Sequence, residues 1–363
     1  MSYPKTIGII GGGQLGQMMA ISAIYAGHKV ITLDPAVDCP ASKVSQVIVA
    51  PYDDVVALRR LAEQVDVLTY EFENVDADSL DAIAELAPLP QGTRLLRIAQ
   101  NRILEKRFLT KEAGVTVAPY REISAASDLD NYDFDKTRIL KTATGGYDGH
   151  GQVVIRTATD LERAKELADQ TACVLEDFVD FDLEISVIVS GNGRDLTIFP
   201  VQENIHRNNI LSKTIVPARI SPSLAQKAQE MASQIATELQ LFGTLCIEMF
   251  VADDQILVNE MAPRPHNSGH YSIEACNFSQ FATHIRGILG ESLPRIHLYQ
   301  PAIMLNVLGQ HMKAAQDFVK KNPSAHLHLY GKEVAKHNRK MGHVTVLGES
   351  IVDLPELGWG IDF

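Results

Sequence analysis

The stretch GIIGGGQLGQMMA, residues 8 to 20, limits what this chain can fold into more than any other segment. An apolar run of strand character precedes it, a run with helical spacing follows it, and a second strand-like run ends at Asp34. These features predict the first strand, tight turn and helix of a parallel α/β sheet, in which N–H groups at the helix N-terminus can face a phosphate. The glycines with the spacing G-x-G-x-x-G are Gly11, Gly13 and Gly16.

This spacing is typical of NAD-binding domains, which makes NAD a candidate ligand. Many α/β domains use the same turn without a dinucleotide, so the turn alone does not establish NAD as a ligand and the rest of the sequence has to be considered. Strand-like and helical runs alternate up to the segment TYEFENV, which follows the fourth strand-like run. Because ligands of open α/β sheets bind at the carboxyl ends of the strands, we predict Glu71, Glu73 and Asn74 beside the glycine turn.

Length and charge narrow the function classes. A chain of 363 residues is long enough for two or three domains. Its 33 basic and 45 acidic residues give a net charge of −12, which argues against nucleic-acid and acidic-membrane partners. No apolar segment of signal-peptide or membrane-span length is seen at the start, and the four cysteines are far apart, so we expect a cytoplasmic protein without disulfides or zinc.

A change in pattern along the chain predicts mixed α/β and α+β architecture in three domains. The segment APLPQGT, with two prolines and a glycine, marks the first boundary. We predict a Rossmann-like domain over residues 1–95, a central domain over 96–292 and a small C-terminal domain over 293–363.

A lysine followed by a glycine-rich loop is the first chemical signal of the central part. In ILKTATGGYDGHGQVVI, Lys141 lies in one strand-like run, and four glycines fall within seven positions before the next run. Such a flexible hairpin can close its amides over phosphates, while the lysine supplies positive charge. We predict one helix from Thr93 to Ala113 before this segment, and a helix opened by Thr159, with Glu162 at capping-box spacing, after it.

A pair of glutamates is the second signal. Glu248 and Glu260 lie in apolar runs on either side of Asp253 and Asp254. A three-residue loop centred on Asp254 would place the two glutamates directly opposite on one face of a hairpin, whereas a two-residue loop would place them on opposite faces. Opposed carboxylates repel unless a cation lies between them, so we predict a Mg²⁺ site, with Asn259 as a further oxygen ligand.

Three further segments carry polar residues that suit the binding of anions or of a nucleotide. NEMAPRPHNSGH places Arg264 between two prolines, where its planar guanidinium suits a small anion such as bicarbonate. The run VLEDFV, residues 174 to 179, can offer backbone groups to an adenine ring, with Glu184 near ribose hydroxyls. Four basic residues within nine positions predict either a solvated helix face or a phosphate clamp: Lys332, Lys336, Arg339 and Lys340.

In combination these segments resemble the ATP-grasp ligases. Within that superfamily GGGQLGQM, TYEFENV, GGYDGHGQ, NEMAPRPHNSGH and RKMGH are together similar to the N5-carboxyaminoimidazole ribonucleotide synthetases of purine biosynthesis, over essentially the whole chain. The resemblance implies an ATP-grasp fold with a lid over about 115–180. It implies that ATP, bicarbonate and 5-aminoimidazole ribonucleotide react through carboxyphosphate, and that the glycine turn binds no dinucleotide. A homodimer is expected, and functional coupling to the downstream mutase is compatible with the resemblance.

The resemblance also implies a role for each matching residue. Contacts with ATP would come from Arg102, Lys106, Lys141, Glu184, His206, the lid residues Gly146, Tyr147, Asp148, Gly149, His150, Gly151 and Gln152, and the adenine strand Glu176, Asp177, Phe178 and Val179. Mg²⁺ would be held by Glu248, Asn259 and Glu260. The ribonucleotide would be bound by Gln14, Leu15, Glu73, Tyr147, Asp148, His266 and Asn267, and its phosphate by Lys332, Arg339 and Lys340. Catalysis would involve Asp148, Arg264, His266 and Lys340, with Arg264 positioning bicarbonate and Asp148 the attacking amine.

Two positions depart from the family pattern. His150 stands where many members have arginine, so a part in orienting carboxyphosphate would depend on its protonation near neutral pH. Asn101, in QNR, replaces a more familiar aspartate and lacks the charge for an ion pair. The alternatives are a formate-dependent ribonucleotide transformylase, an NAD-dependent oxidoreductase, for which no substrate domain is evident, and a non-catalytic nucleotide-binding protein.

Overall fold

The computed structural model describes residues 4–146, 151–350 and 359. Across these residues no helix combines the length and the apolar character that crossing a membrane requires. The predicted lid residues Tyr147, Asp148, Gly149 and His150 lie outside the described part of the chain.

The N-terminal part is a four-stranded parallel sheet with the order β3-β2-β1-β4, as the alternating pattern predicts. The strands are short and largely buried because helices and neighbouring segments cover both faces, which gives two separate apolar clusters. In chain order the elements are β1 (Thr6–Ile10), α1 (Gln14–Tyr25), β2 (Lys29–Asp34), β3 (Gln46–Val49), α2 (Val55–Ala62), β4 (Val67–Tyr70) and α3 (Ala77–Asp81).

The link to the central part is broken into two helices, so the single helix predicted from Thr93 to Ala113 is wrong. The pieces are α4 (Arg94–Ala99) and α5 (Arg102–Arg107), which continues into a π-helical turn. Asn101 has extended backbone angles that end the helical path, and its side-chain oxygen accepts N–H bonds from Ile103 (3.0 Å) and Leu104 (3.2 Å). Asn101 therefore acts as the N-cap of α5.

A small antiparallel sheet with the order β5-β8-β6-β7 follows, with one helix packed on it. Its helix begins at Ala158 and is capped by Thr157, whose partner in the capping box is Asp160. The prediction of Thr159 and Glu162 for these positions is wrong by two residues, because both pairs fit the spacing and only the local backbone distinguishes them. The elements are β5 (Tyr120–Ile123), β6 (Arg138–Thr142), β7 (Gln152–Ile155), α6 (Ala158–Gln170) and β8 (Cys173–Asp177).

The remaining strands form one large antiparallel sheet with the order β14-β13-β9-β11-β12-β15-β17-β16, and β10 pairs with β9. The main core lies between this sheet and its helices. The elements are β9 (Leu183–Asn192), β10 (Leu196–Ile198), β11 (Gln202–Arg207), β12 (Ile210–Val216), α7 (Pro222–Glu238), β13 (Phe242–Ala252), β14 (Gln255–Ala262), α8 (Ser272–Ala275), α9 (Gln280–Ile288), β15 (Ala302–Leu308), α10 (Met312–Lys321), β16 (His326–Leu329) and β17 (Lys340–Leu347).

The β13–β14 hairpin pairs Glu248 with Glu260, although its loop is the shorter of the two alternatives that the sequence allowed. The turn has two residues, Asp253 and Asp254, both with positive φ (48° and 56°), and Ala252 pairs with Gln255. A β-bulge then shifts the register, because Asn259 is an extra residue on β14. The bulge restores the pairing that a two-residue loop alone would have prevented.

Candidate functional site

Two lysines and a glutamate form a buried charge cluster between α5 and the small sheet. Lys106 and Lys141 approach the same oxygen of Glu176, with Nζ–Oε2 distances of 3.4 Å and 3.1 Å. Burial would raise the pKa of Glu176, but the two lysines outweigh it and hold this pKa below its ordinary value. Burial lowers the pKa of Lys141, and Glu176 acts against this shift. The other oxygen of Glu176 has no hydrogen-bond partner among the described residues.

The β14 bulge is tied to this cluster through its backbone. Lys106 Nζ donates a hydrogen bond to the carbonyl oxygen of Asn259 (3.0 Å). The buried carboxyl of Glu105 accepts the Met261 N–H (2.7 Å), and burial together with the charge of Glu260 raises its pKa to about 8. Consecutive residues of α5 thus hold the bulge from one side.

Each of the paired glutamates has a cation of the protein beside it. Glu260 Oε2 lies 3.1 Å from Arg102 Nη1, and Glu248 Oε1 lies 3.1 Å from His266 Nε2. Burial would lower the pKa of His266, but the Cys246 sulfur and the Glu248 carboxylate raise it above its ordinary value. Burial would likewise raise the pKa of Glu248, and the bond to His266 reverses that shift.

The donor set on this hairpin fits Mg²⁺ when substrate oxygens complete it. The described part of the chain holds no group of three or more histidine, cysteine or carboxylate side chains that could bind a metal alone. Two opposed carboxylates, Glu248 and Glu260, suit an ion that uses one or two protein carboxylates together with phosphate oxygens and water. Asn259, at the bulge between them in sequence, presents an amide in the same segment.

The remaining predicted nucleotide residues line the edges of this region. Glu184 on β9 is paired with the imidazole Nδ1 of His206 on β11. Asp177 ends β8 with its carboxylate 2.6 Å from Lys136 Nζ, and Phe178 and Val179 continue beyond the strand, Phe178 being exposed. Gly146 precedes the undescribed part of the glycine loop, Gly151 follows it with a φ of 73°, and Gln152 begins β7.

A cavity of about 180 Å³ lies next to His266, where the N-terminal, central and C-terminal parts of the chain meet. It contains most of the residues predicted to bind the ribonucleotide and several that were not. Both amide atoms of Asn267 are buried without a hydrogen-bond partner in the described chain, as expected for a side chain that binds a ligand. The lining residues are Gln14, Leu15, Glu71, Phe72, Glu73, Arg264, His266, Asn267, His270 and Lys340.

Arg264 is fixed at the cavity wall by an ion pair. Its Nε donates to Glu73 Oε2, and its Nη1 donates to the carbonyl oxygen of Pro265 (3.1 Å). Burial would raise the pKa of Glu73, but the Arg264 guanidinium keeps it below its ordinary value. TYEFENV and NEMAPRPHNSGH are therefore in direct contact, although Asn74 is exposed and does not line the cavity.

The basic cluster near the C-terminus reaches the cavity through Lys340. Lys332 Nζ donates to the carbonyl oxygen of Lys340 (2.9 Å), and Arg339 Nη1 donates to the carbonyl oxygen of Val334 (3.0 Å). Burial lowers the pKa of Lys332 to about 8, and the charges of Arg339 and Lys340 add to this shift. An excess of positive charge beside the cavity suits an anionic group.

The glycine turn uses its N–H groups within the protein. Glu71 accepts from Gly13 and Leu15 (both 3.1 Å), and Asp34 accepts from Gly12 (2.7 Å). Asp34, the position that would bind a ribose in a dinucleotide-binding domain, also accepts the Tyr52 hydroxyl (2.7 Å). The groups that would recognise NAD are therefore already bonded, which argues against the dinucleotide hypothesis.

Sequence reasoning left four residues of the region without a role. Glu71 was predicted beside the glycine turn, which is confirmed, but without a role, and Phe72 and His270 lie inside motifs whose other members were selected. Glu105 was missed, and its only signal was its position between Arg102 and Lys106.

The fold and this site define the ATP-grasp class. The ATP-grasp domain family matches residues 108–281, the ribonucleotide synthetase preATP-grasp domain matches 4–100, and the phosphoribosylaminoimidazole carboxylase C-terminal domain matches 302–356. The chain belongs to the N5-carboxyaminoimidazole ribonucleotide synthase family, as the sequence resemblance indicated.

Individual relatives support this membership over nearly the full length. The N5-carboxyaminoimidazole ribonucleotide synthase of Staphylococcus aureus strain COL is 45% identical, covering 97% of this chain and 95% of its own. The crystal structure of an N5-carboxyaminoimidazole ribonucleotide synthetase with ADP has 49% identity and a TM-score of 0.91, covering 96% of this chain and 93% of its own. The Aspergillus clavatus enzyme with ADP and 5-aminoimidazole ribonucleotide has 32% identity and a TM-score of 0.88, covering 97% and 96%.

Proposed function

We propose that this protein carboxylates 5-aminoimidazole ribonucleotide with bicarbonate at the expense of ATP, giving N5-carboxyaminoimidazole ribonucleotide, ADP and phosphate. The observation that carries the proposal is a set of linked contacts. Lys106 and Lys141 pair with Glu176, and Lys106 also donates to the backbone carbonyl of Asn259, next to Glu260. Glu260 is the strand partner of Glu248, which contacts His266 in the cavity wall. A phosphate-binding region and an acceptor pocket thus share a wall, as transfer of an activated carboxyl group requires.

In the proposed reaction a bicarbonate oxygen attacks the γ-phosphorus of ATP, and ADP leaves. The carboxyphosphate formed delivers its carboxyl carbon, directly or as CO₂, to the substrate amine, which loses a proton as phosphate departs. Arg264, anchored by Glu73, faces the cavity and positions bicarbonate and then carboxyphosphate. Asp148, outside the described residues, is proposed to orient the amine.

The nucleotide side of the proposal rests on the buried cations. Arg102, Lys106 and Lys141 would contact ATP, with Gly146 to Gln152 as a lid, and their ion pairs with Glu260 and Glu176 support this proposal. Glu176 to Val179 would line the adenine, while Glu184 and His206 would lie at the ribose. Mg²⁺, held by Glu248, Glu260 and Asn259, would supply charge neutralisation on the phosphates.

The ribonucleotide side rests on the cavity. Gln14, Leu15, His266 and Asn267 are proposed to surround the imidazole and ribose, together with Tyr147 from the lid. Lys332, Arg339 and Lys340 would bind the phosphate, which would restore the lowered pKa of Lys332 toward its ordinary value.

ADP release from Mg·ATP tests the function directly. We expect release only when both 5-aminoimidazole ribonucleotide and bicarbonate are present, measured against bicarbonate-depleted buffer. Release that does not depend on the ribonucleotide would contradict the proposed acceptor. Release with formate in place of bicarbonate, giving a formylated product, would point to the transformylase alternative instead.

We further propose a cytoplasmic homodimer, with α1 at the interface. The support is an apolar face on this helix: Ile21, Ile24 and Tyr25 are 48%, 43% and 95% exposed. The four buried cysteines form no disulfide, which suits a reducing compartment. Sedimentation should give a dimer for the wild type and a monomer for Tyr25→Lys, and a wild-type monomer would contradict the proposal.

We also propose that the labile carbamate passes directly to the downstream mutase. Direct transfer would be seen as conversion of the product by the mutase that an added trap for free carbamate does not reduce.

A further inference from the structure

The carboxylate of Glu71 occupies the position at the N-terminus of α1 where a dinucleotide-binding domain holds a phosphate. It accepts the N–H groups of Gly13 and Leu15, both at 3.1 Å. A helix N-terminus favours a bound anion through these free N–H groups and the helix dipole. Here the anion is a side chain of the protein itself.

The glycines of the turn fit Glu71 closely. A Cβ added at Gly13 would lie 2.4 Å from Glu71 Oε1, and one at Gly11, which has a φ of 106°, would lie 2.7 Å from Oε2. Real Cβ atoms do not approach other atoms so closely. A side chain at position 13 would displace the Glu71 carboxylate, and the positive φ of Gly11 favours glycine, so the turn fits the internal carboxylate without any bound pyrophosphate.

Glu71 also lies in the wall of the cavity, beside Gln14 and Leu15 of α1. It follows the last residue of β4, and two residues later Glu73 holds Arg264. Burial raises the pKa of Glu71, while the N–H donors of the turn and the charge of Arg264 oppose that shift. One side chain thus joins the start of α1 to the segment that anchors the guanidinium.

We propose that Glu71 is a positioning residue for the ribonucleotide pocket, a built-in substitute for a bound phosphate that holds the Gln14–Leu15 edge in its binding geometry. The inference rests on the proposed function. The proposal also bears on where the substrate phosphate binds. Glu71 already occupies the N-terminus of α1, so an external phosphate cannot bind there. The phosphate of the substrate is thereby directed to the basic cluster around Lys340, which lines the same cavity.

The test compares Glu71→Ala and Glu71→Gln with Glu63→Gln, an exposed glutamate of the same domain. We expect the Michaelis constant for the ribonucleotide to rise at least tenfold in both Glu71 variants, while that for ATP changes less than twofold. Glu63→Gln should match the wild type. Equal increases for both substrates, or no increase in a folded Glu71→Ala, would overturn the proposal.

Adding formate tests whether Glu71 acts as a positioning anion or has only a structural role. In Glu71→Ala the vacated space can admit formate, so sodium formate should restore the ribonucleotide constant and raise the thermal midpoint in a saturable way that sodium chloride does not reproduce. Glu71→Gln, which fills the space, should not respond. The absence of any formate effect on the thermal midpoint of Glu71→Ala would contradict an anion-filled position, and this readout is independent of activity.

Gly13→Ala provides a second variant if Glu71→Ala does not fold. Its added methyl group displaces the Glu71 carboxylate while leaving the charge in the protein, so the same selective rise in the ribonucleotide constant is expected without formate rescue. An unchanged constant in folded Gly13→Ala would count against the proposal. Loss of ribonucleotide-dependent ADP release in the wild type and in Glu63→Gln would instead indicate that the proposed function has failed.

Discussion

Glu248 and Glu260 show how single residues organise the centre of the site. They face each other across two strands, yet each carboxylate has its own cation, His266 on one side and Arg102 on the other. The repulsion expected between opposed carboxylates is therefore relieved without a metal ion.

Replacing Glu260 by Gln should reduce ADP formation at least roughly 100-fold, the scale observed when one group that stabilises a transition state is removed. The amide preserves the shape of the side chain but removes the charge for Mg²⁺ and for Arg102. ADP release at saturating ribonucleotide is the measurement, with the exposed Glu112→Gln as the control. Full activity in Glu260→Gln would remove the metal assignment.

Three buried histidines predict loss of stability in mild acid. His284 accepts the Thr244 N–H at Nδ1 (3.1 Å) and bonds to Thr69 through Nε2 (2.9 Å), and burial lowers its pKa to about 3. Burial also lowers the pKa of His270 and His343 well below the ordinary value. In each case the unfolded state binds the proton more readily, so stability present above pH 6.5 is lost as the pH falls below it.

Urea unfolding between pH 7 and pH 5 measures this effect. Each histidine that stays neutral in the folded state contributes a slope of up to about 1.4 kcal/mol per pH unit below its unfolded pKa. His284→Asn should unfold more easily at pH 7 but lose less stability on acidification. Its unfolding should take up about one proton fewer than that of the wild type, which makes the slope of stability against pH smaller. Equal slopes for variant and wild type would show that His284 does not remain neutral.

At this scale the sequence was sufficient to select residues within single motifs and to predict TYEFENV beside the glycine turn, but it did not assign a role to each contact between motifs. The residue types and order of NEMAPRPHNSGH were sufficient to select Arg264, His266 and Asn267. Glu71 was predicted beside the glycine turn, which the structure confirms, but it received no role because its N–H donors are 56 and 58 residues away and their bonds to it are seen only in the fold.

At the scale of elements, Asn101 begins a helix. The aspartate of the family pattern could form an ion pair at this position, whereas Asn101 acts as a helix cap. It begins α5, the helix that carries Arg102 and Lys106 into the nucleotide region. Asn101→Ala should lower the free energy of unfolding by about 1 kcal/mol, and Asn101→Asp should preserve it because aspartate caps equally well. Chemical denaturation measures both, and the Michaelis constant for ATP should rise in the alanine variant only. Equal stability of the alanine variant and the wild type would contradict the cap.

The β13–β14 hairpin shows why some element details could not be predicted. Counting residues from Asp253 and Asp254 allows either register, and the expected glutamate pairing is confirmed through a two-residue loop followed by a bulge. The bulge at Asn259 is stabilised by Lys106, which comes from a helix far away in sequence. The periodicity of one segment does not indicate a contact with a distant segment. For the same reason the sequence did not predict that the helix expected from Thr93 to Ala113 is interrupted at Asn101.

At the scale of the molecule, one cavity takes residues from all three parts of the chain. Gln14 and Glu73 come from the first part, Arg264 from the second and Lys340 from the third. The family models follow the same division, although the predicted boundaries near residues 95 and 292 remain predictions. The order of the parts was readable from composition, whereas their convergence on one cavity was implied only by the family resemblance.

Lys340→Ala should test this convergence. The loss of a charge-assisted contact is expected to raise the Michaelis constant for the ribonucleotide roughly 10- to 100-fold, with little change for ATP. Lys320→Ala, on the exposed end of α10, is the matched control. A ribonucleotide constant that does not change would exclude Lys340 from the phosphate clamp.

The large sheet continues from β14 through to β17 and β16 without a break. Residues Lys213 to Val216 of β12 pair with Ala302 to Leu305 of β15, so the C-terminal strands cover what would otherwise be an open edge. A fragment ending near residue 292 would expose that edge as a template for aggregation. Supplying the tail as a separate polypeptide should therefore rescue solubility and catalysis together, since the strand that protects the sheet belongs to the same segment that delivers Lys340.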